Sequence, residues 1–198
     1  MNVVRLAAGA VVLVSMVAAC GSPSKPPSGA APSAPAPSSA GKEVNPAGDI
    51  PDTQAYVAYT PPGAVFSIKV PEGWSRAQAG AATLFTDKLN RVRIESHPAA
   101  TAPTVASVTT QELSQLRATP GFTAGKVVTV TRKAGPGVLI TYQATSAPDP
   151  VTGKMYMDAI EQYEFWHGGR EVVVTLAGSA GSDNVDPWRT ISDSLRWH

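Results

Sequence analysis

Apolar and polar residues alternate in short runs along most of the chain after residue 50. Phe66, Ile68 and Val70, for example, alternate with Ser67 and Lys69. This period of two is typical of strands that bury one face, and turn sequences rich in Pro and Gly separate the runs. The pattern predicts eight strands, at residues 55–60, 65–70, 82–86, 91–97, 125–132, 138–145, 154–166 and 170–177.

Two segments instead have the period of an amphipathic helix. In the first, which follows an N-cap at Thr104, apolar residues recur at helical spacing until Pro120 and Gly121 end the helix. In the second, Asp183 or Asn184 is the cap, and the buried face comprises Val185, Trp188, Ile191 and Leu195. The order of strands, helix, strands and helix predicts an α+β fold, an antiparallel β-meander sheet with helices packed on it.

The first twenty residues differ: Arg5 precedes an apolar run over residues 6–17, and the sequence VAAC then ends at Cys20. The run is shorter than the roughly 20 residues of a membrane span and has the length of a signal peptide. This pattern resembles the lipobox of bacterial lipoproteins. The resemblance implies that residues 1–19 are a signal peptide and that Cys20 carries a diacylglyceryl lipid. An ordinary secretory signal with a chance cysteine is the alternative.

Residues 20–49 contain seven prolines and no aromatic residue. They cannot bury enough apolar surface to offset the entropy of ordering, so we expect a disordered tether, with O-glycosylation as an alternative to a plain spacer. Residues 50–198 then form a single domain. Two acyl chains on Cys20 would hold a protein stably, which predicts a lipid anchor on the extracytoplasmic side of the cell membrane.

Charge and cysteine content exclude several classes of function. From residue 50 onward, thirteen Lys and Arg residues balance thirteen Asp and Glu residues. A neutral domain has no basic patch for nucleic acid or for an anionic membrane surface, so membrane attachment depends on the lipid. Cys20 is the only cysteine, which excludes disulfides and thiol nucleophiles from the domain. The three histidines lack the spacing of zinc ligands, and we expect neither a metal nor a cofactor.

Three acidic residues lie on the predicted strand 154–166. Asp158 and Glu164 share one face of this strand, which we interpret as solvated. Glu161 is in register with apolar residues instead, so we expect it either to pair with an arginine across the sheet or to point into a cleft. An envelope hydrolase that uses Glu161 and Asp158 as its acids is an alternative function.

Large apolar residues on this strand and beside the turns are candidates for a surface that binds an apolar ligand or a partner protein. Core packing is the alternative explanation for such side chains. The candidates are Trp74, Met155, Met157, Tyr163, Phe165 and Trp166.

Two short motifs resemble a known family. FSIKVPEGW at Phe66–Trp74 and LRATPGF at Leu116–Phe122 precede a meander and a terminal amphipathic helix, an order that resembles PsbP-like domains. With the lipobox and the tether, the chain resembles actinobacterial lipoproteins of the LpqN/LpqT type. This resemblance implies a non-enzymatic accessory or binding domain on the outer side of the cytoplasmic membrane.

The sequence therefore favours a membrane-anchored lipoprotein of the cell envelope that binds a lipid or an envelope transport protein. A hydrolase and a purely structural lipoprotein are the alternatives. A pocket that contains both Glu161 and Asp158 would favour the hydrolase, and a filled interface between sheet and helix would favour the binding module.

Overall fold

The computed structural model describes residues 48–149 and 151–198. The predictions for the signal peptide, for Cys20 and for nearly all of the tether lie outside the described residues. Within them the chain forms ten strands and two helices: β1 Tyr56–Tyr59, β2 Phe66–Pro71, β3 Ser75–Ala79, β4 Ala82–Asp87, β5 Asn90–Pro98, α1 Val105–Leu116, β6 Thr123–Arg132, β7 Gly135–Thr145, β8 Met157–His167, β9 Arg170–Ser179, α2 Val185–Ser192 and β10 Arg196–Trp197.

Seven of these strands form one antiparallel sheet with the order β3-β4-β5-β9-β8-β7-β6. The long strands β5, β9, β8 and β7 lie in its middle. A second, three-stranded sheet has the order β1-β2-β10. The α+β fold with a meander sheet and packed helices, predicted from the alternation of apolar and polar residues, is confirmed.

All eight predicted strands form, and the structure adds β3 and β10. Every residue of β3 is exposed, so its sequence carries no apolar alternation that could predict a strand. It forms because its backbone pairs with β4 at the edge of the large sheet, from Ser75 opposite Thr86 to Ala79 opposite Ala82. Pairing between strands, rather than burial, stabilises β3.

The two helices cover opposite faces of the large sheet. On one face, Trp188, Ile191 and Leu195 of α2 and the segment after it pack with the apolar side of β8 and with β2. On the other face, Val108 and Leu113 of α1 pack in a separate cluster. Successive residues of a strand point to opposite faces, so each helix buries alternate residues of the same strands.

The helix caps differ from each other. Thr104 Oγ1 accepts a hydrogen bond from the Ser107 amide at 3.1 Å and Ser107 Oγ accepts one from the Thr104 amide at 2.9 Å, which is the reciprocal arrangement of a capping box. The predicted cap of α1 is therefore confirmed. Asn184 precedes α2, but its side chain makes no capping hydrogen bond. No helix in the described part of the chain has the length and apolar character that a membrane span requires.

Candidate functional site

A cleft of about 350 Å³ opens beside the first residues of β6, the second half of β7 and the beginning of β8. Trp188 of α2 reaches into it, and the aliphatic part of its wall comes from Ala124 and Ala159. Its polar groups come from Glu161 and from threonine and glutamine side chains of β6 and β7. We call this space the β6–β8 cleft.

An irregularity in β6 shapes the cleft. The pairing register of β6 with β7 shifts between Ala124 and Val127, and Lys126 donates its backbone N–H to Thr141 Oγ1 at 2.8 Å instead of to a carbonyl. Gly125 lies so close to β7 that a Cβ atom there would be 2.5 Å from the Thr141 carbonyl oxygen. The glycine therefore permits a β-bulge, which bends the strand beside the cleft.

Glu161 lies at the polar end of a hydrogen-bonded chain. Tyr163 donates its hydroxyl to Glu161 Oε2 at 2.6 Å, and Arg132 Nη2 donates to the Tyr163 hydroxyl at 3.2 Å. Burial first, and then the Glu161 carboxylate, raise the pKa of Tyr163, so the tyrosine remains a donor. Glu161 thus lines the cleft, and the Tyr163 hydroxyl links it to Arg132.

Asp158 lies on the opposite face of β8 from Glu161. It is buried, 1% exposed, and forms an ion pair with Arg91 of β5. Burial raises the pKa of Asp158, although the Arg91 guanidinium acts in the opposite direction. Since the two carboxylates point to different sides of the sheet, they cannot act together on one bond. The geometry therefore removes the basis of the hydrolase hypothesis.

The six predicted surface residues do not form one surface. Tyr163 and Phe165 are 2% and 0% exposed and belong to the core beneath α2, so placing them on a surface was wrong. Met155 and Met157 are 61% and 42% exposed.

The two tryptophans of that set are partly buried, and each is fixed by its indole nitrogen. Trp74 Nε1 donates to Gln54 Oε1 at 3.3 Å, and Trp166 Nε1 donates to the Ala99 carbonyl at 2.8 Å. Such bonds hold the rings in place at the ends of strands. These tryptophans are therefore separate structural anchors rather than neighbours in one binding surface.

The prediction of a solvated face for Asp158 and Glu164 is also wrong, because Glu164 is completely buried. One carboxylate oxygen from each of Glu112, Glu164 and Glu171 lies within 4.8 Å of the others. We call these three residues the carboxylate cluster. Burial, a hydrogen bond with Glu112 and the nearby negative charges raise the pKa of Glu164 to about 9.

The β-bulge in β6 and the position of Glu112 both had signals in the sequence. Gly125 lies in a predicted strand, and a glycine there often marks a bulge. Glu112 follows Val108 by four residues, so a helix places it on the face that Val108 buries. Neither signal identifies which groups of the sheet face them, which depends on the strand order.

No protein-family model and no curated protein matches this sequence. Among solved structures, the chain is similar to the solution structure of cyanobacterial PsbP from Synechocystis sp. PCC 6803, with a TM-score of 0.52 and 10% identity over 76% of this chain and 98% of that chain. At this identity the likeness concerns the fold alone. The chain has a PsbP-like α+β fold.

Two further structures are less similar. LpqN of Mycobacterium tuberculosis, described as involved in cell envelope biogenesis, gives a TM-score of 0.41 and 16% identity over 72% of this chain and 88% of that chain. A protein from Bacteroides thetaiotaomicron gives a TM-score of 0.48 and 15% identity over 71% of this chain, which spans 48% of that protein's length. The fold assignment rests on the PsbP comparison.

Proposed function

We propose that this protein is a lipoprotein of the cell envelope, anchored through Cys20, and that it is a non-enzymatic accessory module that binds an amphipathic lipid in the β6–β8 cleft. The cleft itself carries the proposal. Its volume of about 350 Å³ lies in the range of small-molecule sites, roughly 300–1,000 Å³.

The lining of the cleft selects the chemistry of the ligand. Trp188, Ala124 and Ala159 favour a hydrocarbon segment, because burying apolar surface is favourable in proportion to its area. Glu161 accepts hydrogen bonds at the polar side and repels anions. The expected ligand therefore combines an apolar chain with hydroxyl or amine donors, as a glycosylated or amine-bearing lipid does.

The sequence supports the anchor independently of the cleft. The lipobox pattern ends at Cys20, and the domain is formally neutral, so attachment depends on the lipid rather than on an anionic surface. A proline-rich tether of thirty residues then separates the anchor from the domain, while the domain stays within reach of membrane lipids.

The test is the lipid that accompanies the purified protein. Mass spectrometry of organic extracts should find a specific lipid with the wild-type chain and much less with Ala159→Leu, whose larger side chain fills the cleft. Ala77→Leu on the exposed strand β3 makes the same exchange away from the cleft and should keep the lipid. Circular dichroism checks that both variants are folded.

Two results would contradict this proposal. One is the absence of a specific lipid from the wild-type protein. The other is equal lipid content in wild type and Ala159→Leu. A photo-crosslinker at Gln143, which lines the cleft, distinguishes a protein partner: capture of an envelope protein in place of a lipid would replace the lipid ligand with that partner.

A further inference from the structure

The carboxylate cluster lies on the face of the large sheet that α1 covers. Glu164 and Glu171 come from the neighbouring strands β8 and β9, and Glu112 comes from α1 above them. Glu164 is 0% exposed and Glu171 is 8% exposed. Three carboxylates this close repel one another strongly when they are ionised and withdrawn from water, and either a proton or a bound cation relieves that repulsion.

Each member of the cluster is held by one of its two oxygens. Gln162 Nε2 donates to Glu112 Oε2 at 2.7 Å and to Glu164 Oε1 at 3.0 Å. His97 Nε2 lies 3.3 Å from Glu171 Oε2. These contacts orient the carboxylates in the way that surrounding hydrogen bonds orient the ligands of a metal ion.

Two further oxygens of the cluster are buried without a donor. Within residues 48–149 and 151–198, no hydrogen-bond donor reaches Glu164 Oε2 or Glu171 Oε1. Buried polar atoms in proteins nearly always have a partner, and an exception points to an ion or a water. Both of these oxygens belong to the carboxylate cluster, so they indicate that an ion or a water binds there.

We propose that Glu112, Glu164 and Glu171 bind a hard divalent cation, Ca²⁺ or Mn²⁺. The spacing fits, because two oxygens that bind one ion at about 2.4 Å are at most about 4.8 Å apart, and the three carboxylate oxygens lie within 4.8 Å of one another. A bound divalent cation would release the proton of Glu164 to solvent and balance the charge of the ionised carboxylates.

The donor set selects the class of ion. Carboxylate oxygens without sulfur favour Ca²⁺, Mg²⁺ and Mn²⁺ over the softer metals. Mg²⁺ needs shorter bonds in a regular octahedron, whereas Ca²⁺ accepts six to eight oxygens in varied geometry. We expect water to complete the shell from the side of His97, whose side chain is 49% exposed. This inference does not depend on the lipid ligand or on the anchor at Cys20.

The test uses the full-length protein after treatment with EDTA. Calorimetric titration with CaCl₂, and with MnCl₂ followed by electron paramagnetic resonance, should detect one bound ion per chain. Glu164→Gln, which keeps the shape of the side chain, should weaken binding at least tenfold. Glu95→Gln, on β5 and paired with Arg93, removes a carboxylate outside the cluster and should leave the affinity unchanged.

Mn²⁺ also localises the site, because it broadens the NMR signals of nearby nuclei. Broadening should be strongest around Glu112, Glu164 and Glu171. The proposal is overturned if neither ion binds at up to about 10 mM, which exceeds the range of weak extracellular Ca²⁺ sites. It is also overturned if Glu164→Gln binds as tightly as wild type, or if the broadening lies elsewhere.

Discussion

The side-chain amide of Asn184 donates a hydrogen bond to the side-chain oxygen of Asn90 at 3.0 Å, between the start of α2 and the start of β5. Both amides also donate to the Gly48 carbonyl, at 3.0 and 2.9 Å. Asn184 Oδ1 accepts the Ile50 amide at 2.8 Å. This buried network attaches residues 48–50 to the helix and to the sheet, which explains why Asn184 does not cap α2.

Replacing Asn184 with Ala should lower the free energy of unfolding by about 2–4 kcal/mol, because it leaves the Ile50 amide and the Asn90 oxygen buried without their partner. Urea denaturation measures the change. Asp183→Ala, at the adjacent and more exposed position, should change stability by less than about 0.5 kcal/mol. Equal effects of the two substitutions would contradict the role of the network.

The bulge in β6 should depend on Gly125. Gly125→Ala places a Cβ atom against the Thr141 backbone, so β6 must shift, and the free energy of unfolding should fall by about 1–3 kcal/mol. Ala124→Val, at the exposed neighbouring position, should cost much less. Thermal unfolding compares the two variants, and a neutral Gly125→Ala would show that the close approach does not shape the strand.

Phe165 and Met157 were predicted to share a surface but differ in burial. Phe165→Ala should destabilise the protein by about 3–5 kcal/mol, because it opens a cavity under α2. Met157→Ala, at a side chain that is 42% exposed, should cost less than about 1 kcal/mol. Chemical denaturation measures the free energy of unfolding of both variants. Similar costs would mean that Phe165 is not part of the core.

Stability in EDTA should decrease as the pH rises from 5 to 9. The pKa of Glu164 is raised from 4.5 to about 9 on folding, so its favourable contribution is complete below pH 4.5 and is lost as the pH approaches 9. The groups that face it are Glu112 of α1 and Glu171 of β9, and His97 of β5 contacts Glu171.

Glu164→Gln should remove much of this dependence, whose slope is at most about 1.4 kcal/mol per pH unit for one group. Urea denaturation at several pH values measures it, with Glu95→Gln as the control that should keep the slope of wild type. Parallel profiles for wild type and Glu164→Gln would mean that Glu164 does not retain its proton in the folded state.

The proposed lipid anchor at Cys20 predicts how the protein partitions between detergent and water. Cys20→Ala should move the protein from the detergent phase to the aqueous phase, since no acyl chain can be attached. Cys20→Ser gives the same result if the thiol is required. Phase separation with a detergent, followed by immunoblotting, measures the distribution. Retention of Cys20→Ala in the detergent phase would exclude lipidation as the anchor.

Local patterns determined the elements and the fold class. The alternation of Phe66, Ile68 and Val70 predicts a strand because successive side chains of any strand point to opposite faces. The Thr104 cap likewise depends only on two residues that are three positions apart. The α+β class follows from the order of such elements. The pattern at Cys20 is local as well, and it remains a prediction.

Only the tertiary structure decided which faces of those elements are buried. Glu164 looked solvated because its strand alternates, yet α1 covers that face and brings Glu112 to it. Phe165 and Glu161 share the other face, but α2 buries one and leaves the other beside a cleft. The burial of a strand residue depends on what packs above it, and that contact joins segments distant in sequence. The cleft and the carboxylate cluster therefore exist only in the folded chain.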